Sequence, residues 1–172
     1  MRDSLLIAVA VLGLSCGGGK ATRPGGAQET TPTWLADGTG AIRSESGKRL
    51  QGVGVASGVA DPKARRRQAD AAAREQLQGA VDALAQAMAK MSESTQQNLG
   101  QTATAIARNA AAQAAAIRDH WVTPDGDERA LAVLELDALR RSLQAADADE
   151  RIRGEMAANV ERAFDRVAGT GR

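Results

Sequence analysis

Hydrophobic positions change their spacing several times along the 172-residue chain, and each change marks an element. Leu5 to Leu14 is an unbroken apolar run. It is too short for a membrane-spanning helix, which needs roughly 20 residues, and has the length of a secretory signal core. Residues 17–33, GGGKATRPGGAQETTPT, have no apolar period and enough Gly, Thr and Pro to predict a flexible tether. Leu50 to Val59, LQGVGVASGV, alternates small and apolar residues as a strand does. It runs into Ala60-Asp61-Pro62, where Asp suits a helix N-cap and Pro the first helical position. From Lys63 onward Ala69, Ala73, Leu77, Val81, Leu84, Met88 and Met91 recur every three or four residues, which predicts a long amphipathic helix. Arg66, Asp70 and Arg74 fall on its other side at i, i+4 steps and are expected to pair with one another.

Leu99, Ala103, Ile106 and Ala110 keep a helical spacing through residues 92–116, with a break expected between Ser94 and Gly100. Ile117 to Thr123 and Glu128 to Asp137 flank Pro124-Asp125-Gly126-Asp127, a turn sequence that predicts a β-hairpin. Ala130 to Leu136 is apolar at nearly every position, as expected of a central strand. Asp137 reads as the N-cap of a short helix carrying Leu139 and Leu143. A last helix follows, with Ile152, Met156, Val160, Ala163 and Val167 on one stripe and Gly169 as its stop. The expected fold is a two-layer α+β domain of order β, α, α, β, β, α, α, with a three-stranded antiparallel sheet packed on the long helix.

Composition narrows the core. Hydrophobic residues make up 43% of the chain but aromatics only 2%, namely Trp34, Trp121 and Phe164, so the interior must be built from Ala, Leu, Val, Ile and Met. A chain of this length supports one small domain. Strand alternation puts Asp119 and Thr123 on the face of Trp121. The scarcity of large side chains predicts that this Trp is buried, in the room the Ala-rich helices leave beside the sheet. With 22 Lys plus Arg against 21 Asp plus Glu, the net charge of +1 offers no bulk field for nucleic acid. One Cys and one His cannot make a Cys/His cluster, so no metal or cofactor is expected.

Candidate chemistry is sparse. Leu12-Gly13-Leu14-Ser15-Cys16-Gly17 resembles a bacterial lipobox, with Gly13 where Leu is usual. Cleavage before Cys16 would let its sulfur carry a diacylglycerol. The alternatives are a free cysteine behind an ordinary signal peptide, or a cytosolic thiol. The place of Cys16 at the end of the apolar run, without a competing A-x-A site, favours lipidation. Gly17 is not the Asp that retains many such lipoproteins in the inner membrane, which favours the outer membrane. Gly52-Val53-Gly54-Val55-Ala56-Ser57-Gly58 has the glycines of a dinucleotide fingerprint, but the preceding IRSESGKRLQ is too polar for a buried first strand. Those glycines are read instead as letting a helix lie close over a strand. Ser46-Gly47-Lys48-Arg49 lacks the earlier Gly and the Ser/Thr of a P-loop. Asp119 and His120 are strand neighbours and point to opposite faces, so they cannot act in line as part of a triad. Arg65, Arg66 and Arg67 open the long helix about 100° apart, as a solvated end with some capacity for an anion.

Pro32-Thr33-Trp34-Leu35, GVGVASGVADPKARRRQADAAAREQL over residues 52–77, Arg118 to Val122, Asp125-Gly126 and the strand ALAVLEL together resemble the LPP-twenty lipoprotein family. The likeness covers about residues 32–140. It implies a bacterial outer-membrane lipoprotein, anchored in the membrane by lipid, whose domain is similar to the N-terminal domain of flagellar assembly protein T and to tumour-necrosis-factor-inducing secreted proteins, none with a known catalytic site. The Ala-rich segment 94–116 and the helix over 147–168 lie outside that pattern. The expected organisation is a signal peptide over 1–15, lipidated Cys16 and tether over 16–33, the α+β domain over 34–146, and a C-terminal helix over 147–172. The expected function is non-catalytic: presentation of an interaction domain to an envelope protein or cell-wall partner. The alternative is a released or exposed binder of anions, nucleic acid included, through Arg65 to Arg67. The sequence names neither the partner nor the oligomeric state.

Overall fold

The computed structural model describes residues 31–91 and 98–170, so the signal segment, Cys16, most of the tether and residues 94–97 of the expected helix break lie outside the described residues. In chain order the elements are α1 (Thr33–Asp37), β1 (Gly40–Ser44), β2 (Gly47–Ala56), α2 (Pro62–Met91), α3 (Asn98–Ala114), β3 (Ala116–Val122), β4 (Glu128–Glu135), α4 (Leu136–Gln144) and α5 (Glu150–Thr170). The fold is α+β, with one antiparallel sheet of strand order β1-β2-β4-β3.

The sheet therefore has four strands where the sequence predicts three, and the element order gains α1 and β1 at its start. β1 is a short edge strand whose apolar content is Ala41 and Ile42, and its hairpin to β2 turns at Glu45-Ser46, without the Asn-Gly or Asp-Gly pair that signals a tight turn. The strand expected over Leu50 to Val59 runs instead from Gly47 to Ala56, because the polar residues 47–49 pair with β1.

Alternation sorts β2 and β4 into two faces. Leu50, Ala56, Ala130, Ala132 and Leu134 turn inward to the main core, while Leu131 and Val133 turn outward with Val53. Gly52 pairs with Ala132 and Gly54 with Ala130, so the inner face is lined by the smallest side chains where α2 crosses it. A Cβ placed on Gly54 would overlap the backbone of Ala69 and Ala73, and one on Gly52 the backbone of Ala73 and Leu77. The helix backbone rests directly on the strand backbone, which is the role expected of these glycines.

Helix α2 begins as its sequence predicts. Pro62 is its first residue, and the Asp61 carboxylate accepts the Ala64 N–H at 2.9 Å and the Lys63 N–H at 3.4 Å. Ala69, Ala73, Leu77, Val81, Leu84 and Met88 of the expected stripe are buried, and Met91 is half-buried. Helices α3, α4 and α5 add Ile106, Leu139, Leu143, Val160 and Phe164 to the same core. β4 passes into α4 with no linker, so the residue at the cap is Glu135, without a side-chain cap bond. Asp137, expected as the N-cap, lies in the first turn and pairs with Arg140 at 2.7 Å. Gly169 sits inside the last turn of α5 instead of ending it.

Ion pairs fasten the layers at their edges. Lys48 on β2 reaches Glu161 at 2.7 Å and Asp165 at 2.9 Å on α5, and Arg43 on β1 reaches Asp165 at 2.8 Å. Hydrogen bonds donated to the two carboxylates, Glu161 first, raise the pKa of the Lys48 ammonium, and Lys48 in turn draws Asp165 below the usual carboxylate value. Arg108 on α3 clamps Asp82 on α2 through two bonds of 2.8 and 2.6 Å, and this lowers the Asp82 pKa. A carboxyl with a depressed folded pKa stabilises above its unfolded value, about 3.9, and loses that contribution as pH falls through the folded value. Asp82→Asn is thus expected to lower the urea midpoint at pH 7, with the gap to the parent protein closing toward pH 2. A gap independent of pH would show that the clamp does not act through the charge.

Candidate functional site

The residues singled out in the sequence separate in space. Arg65 folds back on the sheet: its Nη1 donates to the Val59 carbonyl at 3.3 Å and its Nε lies 3.6 Å from the buried Glu128 carboxylate. Arg66 reaches across to His120 on β3, its Nη2 standing 2.9 Å from the ring Nδ1. Arg67 is exposed. The three cations point three ways, as their 100° spacing requires, and form no common anion cradle.

The pairing expected among Arg66, Asp70 and Arg74 along α2 gives way to a tertiary contact. Asp70 Oδ1 lies 2.6 Å from His120 Nε2, so His120 stands between Arg66 and Asp70 and engages both. Asp119, one residue earlier, turns to the other face, where its Oδ2 accepts the indole N–H of Trp34 at 2.8 Å. The opposite orientations of Asp119 and His120 follow the strand alternation. With both ring nitrogens held, His120 has no free lone pair to offer a substrate in this geometry.

Two open clefts lie among the helices. One, of about 470 Å³, runs between α3 and the end of α4, past Ile106, Ala110, Gln113, Ser142 and Ala146, with Asp147 as its single carboxylate. The other, of about 220 Å³, lies between α2 and α3 against Leu77, Val81 and Ala111, with Arg74 on its wall. Neither brings together the pair of titratable groups that general acid–base work requires. Among the described residues no three His, Cys, Asp or Glu side chains converge as metal ligands, and no helix is long and apolar enough to cross a membrane.

The outer face of the sheet is where sequence reasoning saw least. Helix α1 covers one end of it. There Trp34 is buried against Leu131 and Val133, and the buried Gln51 amide donates to the carbonyls of Trp34 and Gly38 at the end of that helix. Gly38, at φ 70, ends α1 after five residues, and the Thr39 hydroxyl accepts the Val53 N–H at 3.0 Å. Trp121 packs against this cluster and is half-buried. It thus lies on the face opposite the Ala-rich helices, beside Asp119 as alternation requires but away from the site expected for it.

Beyond α1 the face opens. Register places Val55, Arg129 and Trp121 in one row across β2, β4 and β3, and Val55 is 39% exposed. The Arg129 Nε is buried without a hydrogen-bond partner. Trp and Arg side by side on a half-open sheet are the residue types enriched at interaction surfaces. The signal for it in the sequence is weak: Arg129 is one polar letter inside an apolar strand, and its row exists only through strand pairing.

No family model matches this chain, and no curated protein matches it.

Proposed function

We propose that this protein is a non-catalytic bacterial envelope lipoprotein of the LPP-twenty type, held to the outer membrane through Cys16, whose α+β domain binds an envelope partner through the outer face of its sheet. The observation that carries the binding part is the row Val55, Arg129, Trp121, left half-open where α1 ends its cover. The lipidation part is supported by the sequence around Cys16. The family part is supported by the order of its motifs in the fold: GVGVA lies on β2 directly before α2, and Arg118 to Val122 lies on β3 before the β4 hairpin. The alternative, anion or nucleic-acid binding through Arg65 to Arg67, has less support, since Arg65 and Arg66 are engaged by Glu128 and His120.

Two measurements test the reading. Cys16→Ser is expected to move the protein from the detergent phase to the aqueous phase on partitioning, and unchanged membrane recovery would remove the lipid anchor. Trp121→Ala with Arg129→Ala is expected to abolish cross-linking to the partner in intact cells while the protein remains folded by circular dichroism. Cross-linking retained at the parent level would exclude this face. DNA retention that falls steeply with added salt would favour the alternative.

A further inference from the structure

His120 is the sole histidine of the chain, and its ring bridges edge strand β3 to helix α2. Asp70 and Arg66, one helical turn apart on α2, hold its two nitrogens at 2.6 and 2.9 Å. Their chemistry dictates the state of the ring. A guanidinium has donors and no acceptor, so the contact at Nδ1 requires a bare lone pair there. An ionised carboxylate has acceptors and no donor, so Nε2 carries the hydrogen and donates it to Asp70. One neutral tautomer satisfies both partners, and it uses the whole hydrogen-bonding capacity of the ring.

We infer that this trio is a proton-operated latch between β3 and α2, in which protonation of His120 at Nδ1 releases Arg66 while Asp70 keeps its hold. The added proton comes from water and occupies the lone pair that Arg66 uses. No covalent bond among the three residues changes. Two N–H donors of like charge then face each other, while the bond to Asp70 becomes an ion pair.

The surrounding charges single out Arg66 as the group that moves. From α2 the ring meets Arg66 and Asp70, and Arg67 follows in the next position, exposed. On neighbouring β4, Glu128 is held by Arg65. On β3 itself, Asp119 accepts the His120 backbone N–H at 2.8 Å, but its side chain serves Trp34 on the opposite face. The His120 and Asp70 side chains are 16% and 24% exposed, so that pair is held within the fold, whereas Arg66 is exposed and has solvent to swing into. Histidine takes up a proton on acidification through roughly pH 5 to 8. Protonation of His120 thus adds Arg66 to Lys63 and Arg67, which among the described residues are the exposed cations at the start of α2 without an ion-pair partner. β3, paired with β4 on one side alone and irregular between Ile117 and Asp119, keeps Asp70 as its remaining tie at this point.

The test is a pair of double-mutant cycles in the full chain, read as unfolding midpoints at pH 8 and pH 5: Arg66→Met with His120→Leu, and Asp70→Ala with His120→Leu. The Arg66–His120 coupling is expected at pH 8 and lost at pH 5, while the Asp70–His120 coupling grows. An Arg66 coupling that is the same at both values, or two couplings that move together, overturns the latch. Nitrogen NMR of the single His in the unmutated protein decides the point without any variant. An Nε2–H tautomer at pH 8 is expected, and an Nδ1–H tautomer overturns the proposal.

Discussion

Gly54→Ala is expected to cost more than about 3 kcal/mol, above the usual range for an overpacked core position, because the added methyl meets backbone and not side chain. The atoms in its way are the carbonyl oxygen of Ala69 and the amide nitrogen of Ala73, both inside the 30-residue helix α2. A side chain can rotate out of an overlap; a helix backbone can only lift. Lifting α2 uncovers Ala69, Ala73 and Leu77, which are all buried. Gly52→Ala is expected to behave in the same way against Ala73 and Leu77. Gly79→Ala provides the matched control on the same helix: a Cβ there meets nothing within 4 Å, so the gain in helix propensity, about 0.5–1 kcal/mol, should appear as a raised midpoint. Urea unfolding of the three variants checks the signs. A Gly54→Ala protein with the parent midpoint would show that α2 does not ride on the glycine track.

Leu84→Ala should cost about 2–5 kcal/mol, a large part of the 5–15 kcal/mol by which a small domain is stable. Leu84 has no exposed surface, and it lies in a core cluster where, among the described residues, 12 of the 25 buried residues are alanine. Alanine side chains have no rotamers with which to close a cavity, so that share of the core regains little of the lost contact by collapse. Thermal unfolding of the variant against the parent protein measures the loss. A melting temperature within a degree of the parent value would place Leu84 outside the core.

The candidate interaction face was almost illegible in the sequence. Trp121 could be assigned a strand and a face by alternation, but which side of the sheet the helices cover is a separate question. The answer depends on Trp34, 87 positions earlier, being brought by α1 onto the same face. The scarcity of aromatics argued for burial among the helices. The fold instead collects Trp34 and Trp121 in a second small cluster with Leu131 and Val133, on the side the alanines do not reach.

Local chemistry in the sequence determined α2, its Asp61 cap, the Pro124 to Asp127 turn and the buried β4, because each depends on spacing or capping within a few residues. It also determined that Gly52 and Gly54 serve close packing, since no side chain there could fill a core. Tertiary structure decided what distance along the chain conceals. β1, with two apolar residues, becomes a strand through its pairing with β2. Arg66 and Asp70, spaced to pair along their own helix, are both drawn to a histidine at least 50 positions away. An exposed intrahelical pair is worth about 0.2–0.5 kcal/mol, so a half-buried ring offering one donor and one acceptor readily displaces it.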